Sequence, residues 1–342
     1  MDKNFLKELL EIGSPSGYEK KAAELWVGRA KKFCDMTKID IHGNGIAGIT
    51  NVLNERPSSI MLAGHIDEIG LIISHIDKEI IYFQTIGGWD PQIFPGQRVR
   101  IHTKTNETIK GCIGRKPIHS LSEKEKTQAV KKEDLWIDVG NKERAKKVSV
   151  GDYAVIDYGA EFWNNILVAR GIDDRVGAFI ILEALLKMKK DKLEKAVYAV
   201  ATVQEEIGLR GAITSAYSIN PSIGLAVDVT FASDYPGANK KNGDIRLGEG
   251  PVIAIGPNIT PSIHEALVAT AKKNKIPYRP ILKLLKLNFH NFYSRTKSLI
   301  FSEFCCLSFN HSIVFLLYCS SPPKKSNKNF RWVNEGKFFL PT

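Results

Sequence analysis

Apolar positions recur every three to four residues over 4–11 and again over 18–33, where Leu25, Trp26 and Ala30 share a face; this period predicts two opening helices. Between them, Ser14-Pro15-Ser16-Gly17-Tyr18-Glu19 predicts a turn, with a capping box from Ser16 to Glu19 starting the second helix. Short apolar runs with β-branched residues follow at 45–52, 59–63, 197–203 and 223–227 and predict buried strands. Leu182, Leu185 and Leu186 pattern 174–188 as a helix, and 261–273 predicts another. Strands alternating with helices in this way predict an α/β layered sheet.

Residues 69–168 carry a different pattern. Short alternating segments at 80–83, 98–102, 136–138 and 153–156 are broken by Gly87-Gly88, Pro95-Gly96 and Gly151-Asp152, and no long helical period runs through them. The expectation is a β-rich domain, 69–168, inserted into a discontinuous domain formed by 1–68 and 169–278. A length of 342 residues agrees, because a single core stops growing at roughly 250–300 residues.

Composition changes the picture only at the end of the chain. Hydrophobic residues at 43% and charged residues at 25% are ordinary globular usage, which excludes a disordered, collagenous or coiled-coil chain. No apolar run is long enough to span a bilayer, the first residues lead into no signal-type apolar core, and five cysteines without framework spacing suit a reducing compartment. A soluble, cytoplasmic protein is expected. The net charge of +11 would ordinarily prompt a search for nucleic acid or an anionic membrane. Its distribution removes that reason, since residues 279–342 hold ten Lys and Arg against two acids while the preceding 278 residues carry only +3. The tail also has one Gly, no Ala and nine of the 16 Phe. Its surge of Lys, Phe, Asn, Ser and Leu leads us to expect an out-of-frame translation of A/T-rich DNA. A basic nucleic-acid or membrane arm is the competing reading, and the tail's lack of a helical stripe or an RNA-binding motif disfavours it.

Three of the strands end in chemically loaded residues. The first runs into His65-Ile66-Asp67, whose His and Asp point to the same side of an extended chain and suit a metal-bound imidazole beside a supporting carboxylate, or a polar strand-to-loop turn. The second runs into Glu205-Glu206, adjacent carboxylates whose repulsion a cation or a raised proton affinity would relieve, unless the turn is simply solvated. The third ends at Asp228, a carboxylate behind a buried strand that needs a partner. Asp173-Asp174 precedes a helix, where it could ligate a metal or cap the helix. Because functional crevices of open α/β sheets lie beyond the carboxyl ends of the strands, these residues form a candidate set for two divalent ions in a hydrolytic centre.

Seven motifs carry a resemblance: GSPSGYE (13–19), AGHIDEIGL (63–71), GGWDPQ (87–92), GCIGRKP (111–117), GIDDRVG (171–177), VQEEIGLRG (203–211) and AVDVTFASDYPG (226–237). In order and spacing, over about residues 5–279, they resemble the glutamyl and tetrahedral aminopeptidase family of dinuclear metallopeptidases, whose members are sometimes labelled endoglucanases. The resemblance implies a zinc-peptidase-like three-layer α/β/α catalytic domain with an inserted β-barrel. It also implies two divalent ions, zinc or cobalt, peptide substrates rather than nucleic acid or membrane, and homo-oligomers from dimers to dodecamers. By motif, His65, Asp173 and Asp228 would hold one metal, Asp173 would bridge to a second bound by Glu206, Glu205 would be the general base, and Asp67 would steady His65. The sequence departs from the family after residue 279. The C-terminal S-I-P-x-R-Y-x-H segment that supplies a further histidine is absent, and neither His311 nor His290 stands in its context, while His264 lies on a predicted helix as a packing residue. Weak binding of the second metal, poor folding and little activity are expected, an inactive remnant of the family being the alternative. A glycosidase would need only a carboxylate pair, leaving His65, Asp173 and Asp228 superfluous.

Overall fold

Asp2 starts the first helix, α1 (Lys3–Glu11), by accepting the Phe5 N–H at 3.1 Å, and the helix buries Phe5, Leu6, Leu9 and Leu10. The computed structural model describes residues 2–51, 59–163, 166–189, 193–282, 299–306, 308–309, 312–313, 330–332 and 339–340. The second helix, α2 (Lys20–Ala30), buries Trp26, whose indole N–H donates to the Ala178 carbonyl at 2.8 Å. The expected capping box does not form, and Glu19 at the N-cap makes no capping bond. Both of its side chains are drawn into a buried polar cluster described below, and desolvated groups there have more to lose than an exposed helix end.

A hairpin, β1 (Met36–Ile39) and β2 (Gly45–Ile49), precedes β3 (Ser59–His65). The chain then leaves the sheet for six strands, β4 (Gly70–Asp77), β5 (Ile80–Ile86), β6 (Arg98–His102), β7 (Thr108–Arg115), β8 (Leu135–Asp138) and β9 (Tyr153–Ile156), which close into a barrel. Two single-turn helices, α3 (Glu123–Lys126) and α4 (Lys142–Ala145), and three short 3-10 turns interrupt it. Alternate residues such as Leu71, Ile73, Val99, Ile101 and Ile137 fill its interior with Phe94, as the period of two requires.

After the short pair β10 (Glu161–Trp163) and β11 (Ile166–Val168), the chain returns through α5 (Ile172–Met188), β12 (Ala196–Thr202), α6 (Arg210–Ile219), β13 (Ile223–Phe231), β14 (Val252–Ile255), α7 (Pro261–Lys273) and β15 (Arg279–Leu282). The main sheet has the order β1-β2-β12-β3-β13-β16-β14-β15, where β16 is Leu299–Cys306. Leu62 and Ala199 face a core shared with α1, α2 and α5, whereas Met61 and Val200 face one shared with α6 and α7. Three layers result, α/β/α with an inserted barrel, as the sequence leads one to expect. Tail elements lie outside that expectation: Leu299–Cys306 pair in parallel with β13, and Phe330–Trp332 pair in parallel with β11. Their apolar and aromatic content has strand propensity, and the open side of β13 offers unpaired backbone groups. Among the described residues no helix is long and apolar enough to cross a membrane.

Candidate metal centre

The three central parallel strands run in register, but β13 continues to Phe231, past the level at which β3 and β12 stop, so Asp228 lies within its strand rather than at the end where the sequence leads one to expect it. Thr202 of β12 pairs with His65 of β3, and Ala226 of β13 pairs with Ala63, each two residues before Asp228 and His65 respectively. In-register parallel pairing thus delivers His65, the segment after Thr202, and Asp228 to one edge. The fourth contribution comes from the start of α5, which packs so close on β3 that a Cβ at Gly64 would lie 2.6 Å from the Ala178 nitrogen.

His65 is buried, and its Nε2 lies 3.0 Å from Asp173 Oδ1, 3.8 Å from Glu205 Oε2 and 4.0 Å from Asp228 Oδ1. Its Nδ1 faces the Asp67 carbonyl at 3.2 Å and Asp67 Oδ1 at 3.4 Å, which turns Nε2 toward the carboxylates. One ligand atom each from His65, Asp173 and Asp228 falls within 4.8 Å of the others. Ligands of a tetrahedral ion with bonds of about 2.0–2.2 Å sit about 3.4 Å apart, so a small contraction of this group would close it on a divalent cation. Glu206 stands outside the group of three, its Cβ beside Gly87 of the barrel. His311 and His290 lie outside the described residues, and His264 makes a packing contact through Nδ1 to the Ala254 carbonyl.

Asp173 and Asp174 divide the two roles that the sequence leaves open. Both depart from helical dihedrals. Asp174 is fully buried and caps the helix, its Oδ1 accepting the Gly177 N–H at 3.1 Å while Oδ2 accepts the His65 N–H at 3.1 Å. Gly177 is required there, because a Cβ would collide with the Asp174 carboxylate. Asp173 is left to face His65.

The electrostatics of the cluster suit a divalent cation. Burial, then the carboxylates of Asp228 and Asp173, raise the proton affinity of Glu205; burial, then Asp173 and Glu205, raise that of Glu206. Burial and Asp228 do the same to Asp174. Burial alone would lower His65, yet its hydrogen bonds with Asp173 and Asp67 hold it well above the ordinary imidazole range. A crowd of oxygen acids around one imidazole is a hard-to-borderline donor set, suited to a divalent ion that would relieve the repulsion without protons.

The sequence names Asp67 as a support for His65 but missed the groups that hold Asp67 and the buried Glu68 beside it. Asp67 is fully buried, and burial would raise its proton affinity, but His65 and the Ser16 hydroxyl lower it. Ser16 Oγ donates to Asp67 Oδ2 at 2.6 Å, and the Glu205 and Glu206 N–H groups donate to Oδ1 and Oδ2 at 3.0 and 3.2 Å. Glu68 is buried between Arg170 and Arg175. A run of charge immediately after an apolar strand, already used for Asp67, was the available signal for Glu68 as well.

Burial, with Asp67 nearby, pushes Glu19 up to about 7 from an ordinary 4.5. A carboxyl raised in the folded state stabilises fully below its unfolded value, and that contribution is lost as pH rises through the folded value. Glu19→Gln does not titrate. Its stability relative to wild type should therefore climb between pH 4.5 and about 7, which urea unfolding of the metal-free proteins across that window would measure. A flat difference would show that Glu19 keeps an ordinary proton affinity.

Comparison with known proteins points to one family and one fold. The family model for M42 glutamyl aminopeptidase matches residues 43–283. The lysyl aminopeptidase of Pyrococcus furiosus is 32% identical over 286 residues, 81% of this chain and 80% of that protein. Among solved structures, the TET aminopeptidase of a marine sediment Thaumarchaeota archaeon has a TM-score of 0.83 at 30% identity, covering 91% of this chain and 89% of its own. The Pyrococcus horikoshii TET1 peptidase, which can assemble into a tetrahedron or a large octahedral shell, has a TM-score of 0.78 at 30% identity, over 91% of this chain and 92% of that one.

Proposed function

Because this chain belongs to the M42 glutamyl aminopeptidase family, we propose that it hydrolyses the N-terminal peptide bond of peptides at a dinuclear metal centre. The observation that carries the reading is the meeting of His65, Asp173, Glu205 and Asp228 around one cleft of about 150 Å³, which Val229, Thr230 and Phe231 also line. His65, Asp173 and Asp228 would hold one ion, and Asp173 with Glu206 the other. Two such ions, zinc or cobalt, would polarise the scissile carbonyl and ease deprotonation of a water.

The chain's own groups supply the rest. Glu205, whose raised proton affinity suits a base that must hold a proton and then release it, takes the proton of the attacking water on Oε2 and returns it to the leaving amine. The surrounding carboxylates attract the substrate's free ammonium group and so select peptide ends over internal bonds. Asp67 keeps His65 turned inward and holds the two glutamates through their N–H groups. Without the family's C-terminal histidine in this sequence, Asp173 and Glu206 would hold the second ion more weakly, which would limit turnover.

In this reading residues 1–68 and 169–278 form the catalytic unit, 69–168 the inserted domain, and 279–342 an out-of-frame tail. The protein acts in the cytoplasm, and copies of it assemble as the TET peptidases do. The expected result is release of the chromophore from an aminoacyl-p-nitroanilide, abolished by chelator and restored by zinc or cobalt, with no hydrolysis of a soluble glucan. Glucan hydrolysis that survives chelation would replace the peptidase by a glycosidase. Two bound metal equivalents without turnover would leave an inactive remnant of the family.

A further inference from the structure

Past Thr202 the strand β12 has no carbonyl partners left, yet the next four backbone N–H groups are all held by side-chain oxygens. Val203 donates to Asn44 Oδ1 at 3.1 Å, Gln204 to Glu19 Oε1 at 3.1 Å, Glu205 to Asp67 Oδ1 at 3.0 Å and Glu206 to Asp67 Oδ2 at 3.2 Å. The acceptors come from three separate segments of the chain. Gln204 has φ +55°, a left-handed conformation that a residue with a Cβ keeps only where its surroundings impose it. Glu19 is the acceptor at that strained position. Its Oε1 also accepts the Gly17 N–H at 2.8 Å, in the same turn whose Ser16 hydroxyl grips Asp67. Freed from capping α2, Glu19 connects this turn to the loop that carries Glu205.

We propose that Glu19 is a positioning residue of the catalytic centre, acting through the Gln204 backbone to hold the loop that aims Glu205 at its reacting water. This inference rests on the assignment of Glu205 as general base. The alternative is that Glu19 merely supports the start of α2. Glu19→Gln keeps an oxygen at the same reach, whereas Glu19→Met has nearly the same length and no comparable acceptor. The two can be compared in the full chain loaded with zinc. The Met variant should lose about 10–100-fold in kcat with KM within about twofold, as a slightly misplaced catalytic group does, and the Gln variant should stay within about threefold of wild type. Equal losses in both variants, or a full kcat in the Met variant, would overturn the proposal.

Amide hydrogen exchange provides a readout that does not depend on activity, so a failure of the peptidase reading would be seen separately. The Met variant should exchange faster over 203–209, with the N–H groups of α2 unchanged and the Gln variant like wild type. Faster exchange confined to α2 would assign Glu19 to the helix instead.

Discussion

Glu205→Gln is expected to lower kcat by about 10²–10⁴-fold, the usual contribution of a positioned general base, while KM and metal content stay near wild type. The substitution preserves size and leaves the Glu205 N–H bond to Asp67 in place, because that bond is made by the backbone. What it removes is a proton acceptor 3.8 Å from the inward nitrogen of His65, at the mouth of the cleft. Steady-state kinetics on an aminoacyl substrate, with metal measured on the same samples, would check this. Retention of more than a tenth of the wild-type kcat would move the base elsewhere in the cluster.

The largest effect on stability is expected from Glu68→Ala. Glu68 accepts the Ser14 N–H at 2.9 Å and lies between two buried guanidinium groups, those of Arg170 and Arg175. Arg175 also donates to the carbonyls of Leu9 and Ile12, and Arg170 to that of Glu11, so the cluster ties the end of α1 to the loop after β3 and the start of α5. Removing the carboxylate strands two buried cations. Losing one partner of a buried pair typically costs about 3–5 kcal/mol, a large part of the roughly 5–15 kcal/mol that holds a domain folded. Urea unfolding would measure it, and a loss under about 1 kcal/mol would mean that water reaches these arginines. The pH dependence runs opposite to that of Glu19. Burial would raise Glu68, but Arg170 and Arg175 lower it, so its stabilisation is present above the ordinary carboxylate range and is lost as pH falls through its depressed value.

These two sites differ in how far they can be read from sequence. Glu205 stands out because two adjacent acids come just after the largely apolar strand at 197–203, a local contrast visible without a fold. Glu68 also follows an apolar strand, but its partners lie about a hundred residues away, and no local pattern links them. Ser16 and Glu19 illustrate a sharper failure. Their spacing fits a capping box, which is a correct statement about what that peptide could do on its own. In the folded chain, buried Asp67 and the unpaired N–H of Gln204 compete for the same oxygens. A desolvated group loses about 1–3 kcal/mol when unsatisfied, more than a solvent-exposed cap generally contributes.

Asp173 and Asp174 show the same division at closer range. The sequence offers two readings for the pair, and in the structure Asp174 caps the helix while Asp173 faces His65. Which of them caps and which faces His65 follows from the backbone turning at that point, away from helical dihedrals.

By itself, then, the sequence determined the alternation of helices and strands, the β-rich character of the segment between β3 and α5, and the residues standing at the strand ends. Each of these is a matter of neighbours along the chain, of periodicity and of the cost of burying apolar runs. Tertiary structure alone decided that His65, Thr202 and Asp228 lie level on neighbouring strands, that the barrel closes, that a tail segment occupies the place beside β13, and that four N–H groups of the Glu205 loop are held from Asn44, Glu19 and Asp67. The physical reason is desolvation. Once the strands pack and water leaves the edge of the sheet, every polar group there must find a partner across space, and the nearest one is set by strand register rather than by sequence distance.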